Sequence, residues 1–371
     1  MKKHLICHLT SAHSRYDTRI FLKECHSLKK NSYDVIFIVA DGLGDEIING
    51  IQILDVGLSK PGKIQRMIST TRRVYLKAKS LKADLYHFHD PEMMPYMLIL
   101  KLSGRKVVMD IHEFFPKQVI TKDYIPKFIR PALSMIVAKI EKLTAKQMSG
   151  VIVALPNLKI QFKQVNENTA LVQNYPILSE LKTDGNALPY SKRERAVAFV
   201  GGITKIRGLD YLVKSLEISK VKLYLAGNCA SEPYYNYLKS LPGWKFVVEL
   251  GQISREDVSV LLNRVMAGYV TYLPAPNHIE AQPTKMFEYM SASLPVICSN
   301  FPLWRSIVDD KCGIAVDPVN IDDIALATKS ITENESLWNK FSAVGQNLIE
   351  NKYNWEHEEK ALLDSYKNIL S

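Results

Sequence analysis

RAVAFVGGI, residues 195–203, decides how this chain is divided. It is an apolar run closed by two glycines, and it restarts a pattern that has already run once, short β-rich segments alternating with longer amphipathic ones. Upstream, HLICHL (4–9), DVIFIVA (34–40), DLYHFH (84–89), KVVMDI (106–111) and VIVAL (151–155) are candidate strands bounded by turn or polar residues. IFLKECHSLKK follows the first of them with helical character. Residues 63–82 carry Ile64, Met67, Ile68, Tyr75, Ala78 and Leu81 at helical spacing, with Lys63, Arg66, Arg73 and Lys77 interspersed. Downstream, VKLYLAG (221–227), KFVVELG (245–251), AGYVTYL (267–273), PVICS (295–299) and GIAVD (313–317) are again separated by helical segments. In ISREDVSVLL, Ser254 and Asp257 have the spacing of an N-cap and its N3 partner. Strand and helix alternating in this way give a parallel sheet with helices on both faces, and a restart gives two doubly wound α/β domains in series. The length of 371 residues agrees, since it exceeds what one core supports. The polar stretch 173–195, with Pro176, Gly185 and Pro189 and no periodicity, is the expected linker between a first domain over 1–172 and a second beginning at 196.

Composition excludes several classes. A 47% apolar share with 17 glycines and 17 prolines fits a folded globular chain. The five cysteines are widely spaced with no C-x-x-C pair, which argues for buried thiols rather than a disulfide framework or a structural zinc. His4 and His8 interrupt the N-terminal apolar stretch well short of a signal-peptide core, and no run is long enough to span a membrane. The expected location is therefore cytoplasmic. The net charge of +10 is uneven: residues 1–170 carry 27 Lys and Arg against 15 Asp and Glu, whereas 171–371 carry 21 against 23. The excess concentrates in 60–82 and 117–146, a field suited to anionic lipid, nucleic acid or a polyanionic substrate. No nucleic-acid motif with interleaved aromatics accompanies it.

The stretch EAQPTKMFEYMS (280–291) lies between the strands AGYVTYL and PVICS, where a crossover helix is required. Pro283 is placed to be its first helical residue, with Met286, Phe287 and Met290 on the inner face. Its N-terminal amides and Lys285 in the first turn can hold a diphosphate. Glu288 follows Pro283 by five positions, roughly 7.5 Å along the axis at about 1.5 Å per residue, and Glu280 precedes the helix. Two carboxylates flanking a phosphate site suit a ligand with hydroxylated rings on both sides of a diphosphate, the layout of a nucleoside diphosphate sugar.

The run PNHIEAQPTKMFEYMSASLPVICSNFPLWRSIV followed by CGIAVDP resembles the signature region of the family 4 retaining glycosyltransferases. That resemblance implies the GT-B fold, two Rossmann-like domains facing a central cleft, with Glu280 on the transferred sugar and Glu288 on the ribose. RAVAFVGGITKIRGLDYLV resembles the family's diphosphate-gripping strand and glycine loop, with Arg207 at the place of the usual lysine. VMDIHEFFP resembles the segment whose histidine lies near the donor sugar, here His112. YNWEHEEKALLDSYKNIL resembles the closing helix, which assigns about 353–371 to the first domain and leaves 196–352 to the donor domain. Many relatives carry arginine where this chain has Gly202, so either Lys205 supplies that charge or it is absent, and a common glycine is replaced by Ser293. SAHSRYDTRIFL stands where a glycine pair is usual. Without those glycines the loop cannot approach a phosphate closely, and Arg15, Tyr16, Asp17 and Arg19 are expected to shape an acceptor pocket or to lock the loop.

The expected chemistry is sugar transfer from a nucleoside diphosphate sugar, UDP favoured, to a hydroxyl of a glycan acceptor, lipid-linked by resemblance, at an anionic membrane surface. The expected assignment takes Glu280, His112, Arg207 and Lys285 as catalytic. Glu288, Gly201, Gly202, Lys205, Pro283 and Thr284 bind the donor, with no cofactor and no metal. His87 and His89 share one strand face, yet no third ligand for them is evident in the sequence, and the glycines of DGLGDE (41–46) are expected to form a turn. A GT-B sugar nucleotide epimerase and a non-catalytic nucleotide- or nucleic-acid-binding protein are the alternatives. Oligomeric state is open.

Overall fold

The computed structural model describes residues 3–59, 62, 65–121, 125–180 and 187–371. Lys63, Ile64 and Gly185, named above, lie outside the described residues, as does the side chain of Arg66. The chain forms two compact units, one of residues 1–174 with 355–371 and one of residues 175–354.

The first unit holds a sheet of β1 (Leu5–Leu9), β2 (Asp34–Val39), β3 (Glu46–Ile48), β4 (Ile51–Asp55), β5 (Leu85–Phe88), β6 (Lys106–Ile111), β7 (Gly150–Val153) and β8 (Thr169–Leu171). Its order is β3-β4-β2-β1-β5-β6-β7-β8, parallel except for the β3–β4 hairpin. The second unit orders β9 (Ala196–Val200), β10 (Lys222–Ala226), β11 (Val247–Gly251), β12 (Ala267–Val270), β13 (Val296–Ser299) and β14 (Gly313–Val316) as β11-β10-β9-β12-β13-β14, all parallel. The doubly wound class is thus found in both. Strand order reverses between β1 and β5 in the first sheet and between β9 and β12 in the second, and loops leaving those strand ends are where doubly wound sheets bind ligands.

Side chains of β9 alternate between two apolar layers. Ala198 and Val200 pack with Phe287 and Trp304 on one face, while Val197 and Phe199 pack with Leu212 and Trp338 on the other. Ser254 caps the helix Arg255–Arg264 by accepting from the Asp257 amide, as its spacing predicts. Cys7, Cys25, Cys298 and Cys312 are buried free thiols, and Cys229 is half-buried and also free.

Several expectations change. The segment after β1 begins as a wide π-helical turn, Ile20–Cys25, before the α-helix His26–Lys30, and residues Arg66–Thr70 are likewise π-helical ahead of Thr71–Leu81. Met67 and Ile68 therefore stay exposed, while Val74, Tyr75 and Ala78 face the core. Residues 173–195 are built into the structure where they are described. Tyr175 meets Phe287 and Tyr353 edge-to-face, and Arg193 donates to the carbonyls of Leu262 and Val265. The helix Trp355–Leu370 packs on the first unit, with Trp355 Nε1 donating to Ser27 Oγ at 2.8 Å and Tyr366 fully buried. Ser293 takes the left-handed conformation that glycine favours (φ 59°), at a cost of about 1 kcal/mol.

On the helix Arg130–Gln147, Glu141 faces inward, and burial pushes its carboxyl up to about 7. Below the ordinary value of 4.5 both states are protonated; as pH rises from there to 7 the unfolded chain ionises first, so stability falls, and above 7 the cost is constant. Glu141→Gln should therefore raise Tm by roughly 5 °C at pH 8, from about 2–3 kcal/mol, and by much less near pH 5, read by scanning calorimetry.

Candidate functional site

In the second unit the site starts at the end of β9. Gly201 has φ 148°, and a Cβ there would sit 2.5 Å from Arg207 Nη1. Arg207 folds back over the glycine pair, its Nη1 donating to the Gly202 carbonyl at 3.2 Å, and its guanidinium lies 5.3 Å from the centre of the Tyr272 ring. Gly208 (φ 70°) permits this return, since a side chain there would strike the Thr271 carbonyl at 2.1 Å. The turn is strapped to the segment after β12 by Leu273 N donating to Ile206 O at 2.8 Å. Both loops of the switch point are thus joined around Arg207, with Lys205 exposed beside it.

The helix after β12 is Thr284–Ser291. Pro283 is extended and forms its N-cap, so the proline stands one residue before the helix instead of opening it, and Thr284 and Lys285 make the first turn. The tyrosine of this helix anchors it: Tyr289 Oη accepts from the Val200 amide at 3.0 Å, and only a glycine at 268 leaves room for its ring. Glu288 is buried between two cations, Lys285 Nζ at 2.5 Å and Arg255 Nη1 at 3.1 Å, and Arg255 also pairs with Glu180 at 2.7 Å. Sequence reasoning did not single out Arg255. The charge of Lys285 is matched by Glu288 in this structure, where the sequence suggested an open cation. Glu280 is half-buried in the turn before the helix, and Trp304 Nε1 bonds the Ala281 carbonyl next to it at 2.6 Å.

In the first unit the loop after β1 is locked. Arg15 is 4% exposed, forks onto Asp41 at 2.7 and 2.8 Å, and reaches Glu46 at 3.0 Å. Arg19 is equally buried, with a bidentate pair to Asp110 at 3.0 and 3.1 Å, a bond to the Val172 carbonyl and Glu24 at 3.1 Å. Asp17 accepts from the amides of Arg19 and Ile20, both at 2.9 Å, and Tyr16 alone of the four is exposed, bonded to Glu46. Of the two roles expected for this loop, the arginines and Asp17 perform the lock.

His112 follows β6 and is partly exposed, with Nε2 2.7 Å from Asp110 Oδ2. Behind it the register of β1 on β5 sets His8 opposite His87, and His89 lies next to both. The structure therefore supplies what the sequence lacked beside His87 and His89: among the described residues, His8 and Glu24 complete one group of metal-ligand type, and His89, Asp110 and His112 form another. Their geometry is that of hydrogen bonding. His8 Nδ1 and His89 Nε2 are 3.0 Å apart in rings inclined by only 16°, with centres 5.2 Å apart, so the two nitrogens point at each other. A zinc needs about 2.0–2.1 Å on each side and convergent lone pairs.

Two Rossmann-like units, with an arginine-gated glycine loop at the switch point of the second, define the architecture of GT-B glycosyltransferases. The family model for glycosyl transferases group 1 matches residues 183–351, and that for glycosyltransferase family 4 matches residues 19–173. The chain belongs to the family 4 glycosyltransferases and has the GT-B fold. It is 22% identical over 298 residues to O-antigen chain mannosyltransferase C of Escherichia coli, spanning 78% of this chain and 75% of that one. Among solved structures, sucrose-phosphate synthase of Thermosynechococcus elongatus superposes with a TM-score of 0.80 at 16% identity, covering 99% of both chains. Anabaena HepE, solved with UDP and glucose, gives 0.73 at 13% identity over 98% of this chain and 100% of that one.

Proposed function

We propose that this glycosyltransferase retains anomeric configuration, taking its sugar from a UDP-sugar and delivering it to a hydroxyl of a lipid-linked glycan. The observation that carries the donor reading is Arg207 folded on Gly201 and Gly202 at the switch point of the second sheet. Charge develops on the departing diphosphate, and fixed cations and amides aimed at it supply the largest part of such catalysis. Arg207 provides that charge, aided by Lys205, by Lys285 once a phosphate competes with Glu288 for it, and by the amides at Gly202, Thr284 and Lys285 next to Pro283; the Gly201 amide is already donated to the Ala226 carbonyl at 2.9 Å, so Gly201 contributes close approach and not a donor. Glu288 accepts from the ribose, Glu280 orients the transferred sugar, and His112 is a sugar contact. In this reading no metal is required. Retention without a protein nucleophile follows the same-face displacement proposed for the family, in which a donor phosphate oxygen takes the acceptor's proton. HepE holding UDP and glucose supports the choice of base, and the O-antigen relative supports a surface polysaccharide acceptor.

The test is a panel of nucleoside diphosphate sugars scored by nucleotide release, with and without EDTA, and the anomeric configuration of the product read by NMR. Release from UDP-sugars in EDTA with an axial-to-axial outcome is expected. Isomerised donor without acceptor would establish the epimerase instead, and no release from any donor would leave a binding protein.

We also place the enzyme peripherally on the cytoplasmic face of a membrane. No helix of the described residues is long and apolar enough to cross one. The helix Arg130–Gln147 instead exposes Met135, Ile136, Ile140 and Leu143 among Lys139, Lys142 and Lys146, just after a Phe128 that is 84% exposed. Such a face suits the headgroup boundary of an anionic bilayer, at about 1 kcal/mol per basic residue. Sedimentation with phosphatidylcholine vesicles should require added phosphatidylglycerol, weaken at high salt, and fall in Phe128→Ser/Ile136→Ser. Binding indifferent to lipid charge would defeat this placement.

A further inference from the structure

The groups behind His112 are hydrogen-bonded in one direction. Asp110 Oδ2 is 2.7 Å from His112 Nε2 and 3.1 Å from His89 Nδ1, and these two nitrogens converge to 3.4 Å because they share that oxygen. His89 Nε2 meets His8 Nδ1 at 3.0 Å, His8 Nε2 meets Tyr366 Oη at 3.2 Å, and Tyr366 Oη meets His87 Nδ1 at 2.6 Å. Apart from His112, all these side chains are buried. Burial pushes the Asp110 carboxyl up, but Arg19 and His112 outweigh it and hold the group well below the usual carboxylate range. A carboxylate only accepts, so His112 Nε2 and His89 Nδ1 both carry their proton. Burial pushes the His89 ring down to about 4 and those of His8 and His87 well below the ordinary value, so each of the three holds a single proton.

The rest follows link by link. His89 Nε2 is bare and must accept, so His8 Nδ1 donates. His8 Nε2 is then bare and accepts the Tyr366 hydroxyl proton, and the Tyr366 oxygen accepts from His87 Nδ1–H. Reversing any link sets two lone pairs or two protons face to face in a dry site. His87 Nε2 is the bare end of the chain, without a hydrogen-bond partner and 3.9 Å from Asp110 Oδ2. Glu24 Oε2 lies 3.8–3.9 Å from the three rings, beyond hydrogen-bond reach.

We propose that Asp110 is a positioning residue for His112, held by Arg19 and by the chain Tyr366–His8–His89, so that His112 turns a bare Nδ1 outward to accept from a substrate hydroxyl. Its substrate half rests on the role given to His112 above; its tautomer half does not.

The experiment is long-range nitrogen–proton correlation NMR on the full chain labelled with 15N-histidine at pH 8, together with kinetics. His112 should be an Nε2–H ring, and His8, His87 and His89 should all be Nδ1–H rings, the minority form of free histidine. Asp110→Asn should abolish the fixed His112 signature and lower kcat on the order of 10²-fold with little change in KM. Tyr366→Phe, which leaves the Arg19–Asp110 pair intact, should release His8 into a tautomer mixture while lowering kcat only a few-fold, so the inference stays testable if Asp110→Asn fails to fold. An Nδ1–H ring at His112, Nε2–H rings at the buried three, or shifts of those three on adding zinc would overturn it. Loss of kcat in His112→Ala with none in a folded Asp110→Asn would also overturn it. Full activity in His112→Ala would instead remove the proposed role of His112, and the tautomers would still decide the hydrogen-bond chain.

Discussion

Replacing Arg207 by alanine is expected to lower kcat by about 10²- to 10³-fold while leaving KM for the donor within a few-fold. The side chain is held over Gly201 and Gly202 by its bond to the Gly202 carbonyl and by the Tyr272 ring, so it is already aimed before any diphosphate arrives. Its contribution should therefore appear where charge develops on the leaving group. Gly201→Ala gives an independent check. A methyl group there would displace the Arg207 guanidinium and would sit on a backbone with φ 148°, yet the displaced atom is the far end of a flexible chain. Stability should fall by only about 1–2 kcal/mol, whereas activity should fall nearly as far as in Arg207→Ala. The double variant should be no worse than Arg207→Ala in kcat, because both changes remove one interaction. Additive losses would mean that Arg207 works elsewhere.

Glu288→Ala should act on the other parameter, raising KM for the donor by about 30- to 100-fold with kcat nearly kept. Glu288 is 3% exposed and fixed from both sides by Lys285 and Arg255, and in the proposed role it would accept from the donor ribose. Removing it also leaves Lys285 and part of the Arg255 charge unmatched, so Glu288→Gln is the companion that separates charge from shape. If both variants keep wild-type KM, the ribose does not lie there.

Most sheet-forming segments were legible because their strands are predominantly apolar runs between helices, as a parallel sheet buried on both faces requires. The short β3, β4 and β8 were not: β3 and β4 form an edge hairpin and β8 has only three residues. In the second unit, Gly201, Gly202, Arg207 and the 280–288 stretch all follow adjacent strands of one switch point. That much follows from sequence order. The first unit resisted for a different reason. The partners of Arg15 lie 26 and 31 residues away and the carboxylate of Arg19 lies 91 residues away, and nothing local announces them. His8 could join His87 only once the register of β1 on β5 was known. Asp110 carried a visible signal that went unused: it stands two residues before His112 at the end of one strand, and residues at that spacing share a face.

The helix Trp355–Leu370 has a consequence for how the protein is made. It completes the unit that begins at the N-terminus, placing Tyr366 against His8 and His87 and the Lys106 amine on the carbonyl of Leu370. On a ribosome the second unit, residues 175–354, can emerge whole and fold while the first still waits for its last sixteen-residue element. A late segment thus completes the unit that was begun first. A chain cut before Trp355 would keep the whole of the second unit while leaving His8 and His87 of the first without Tyr366.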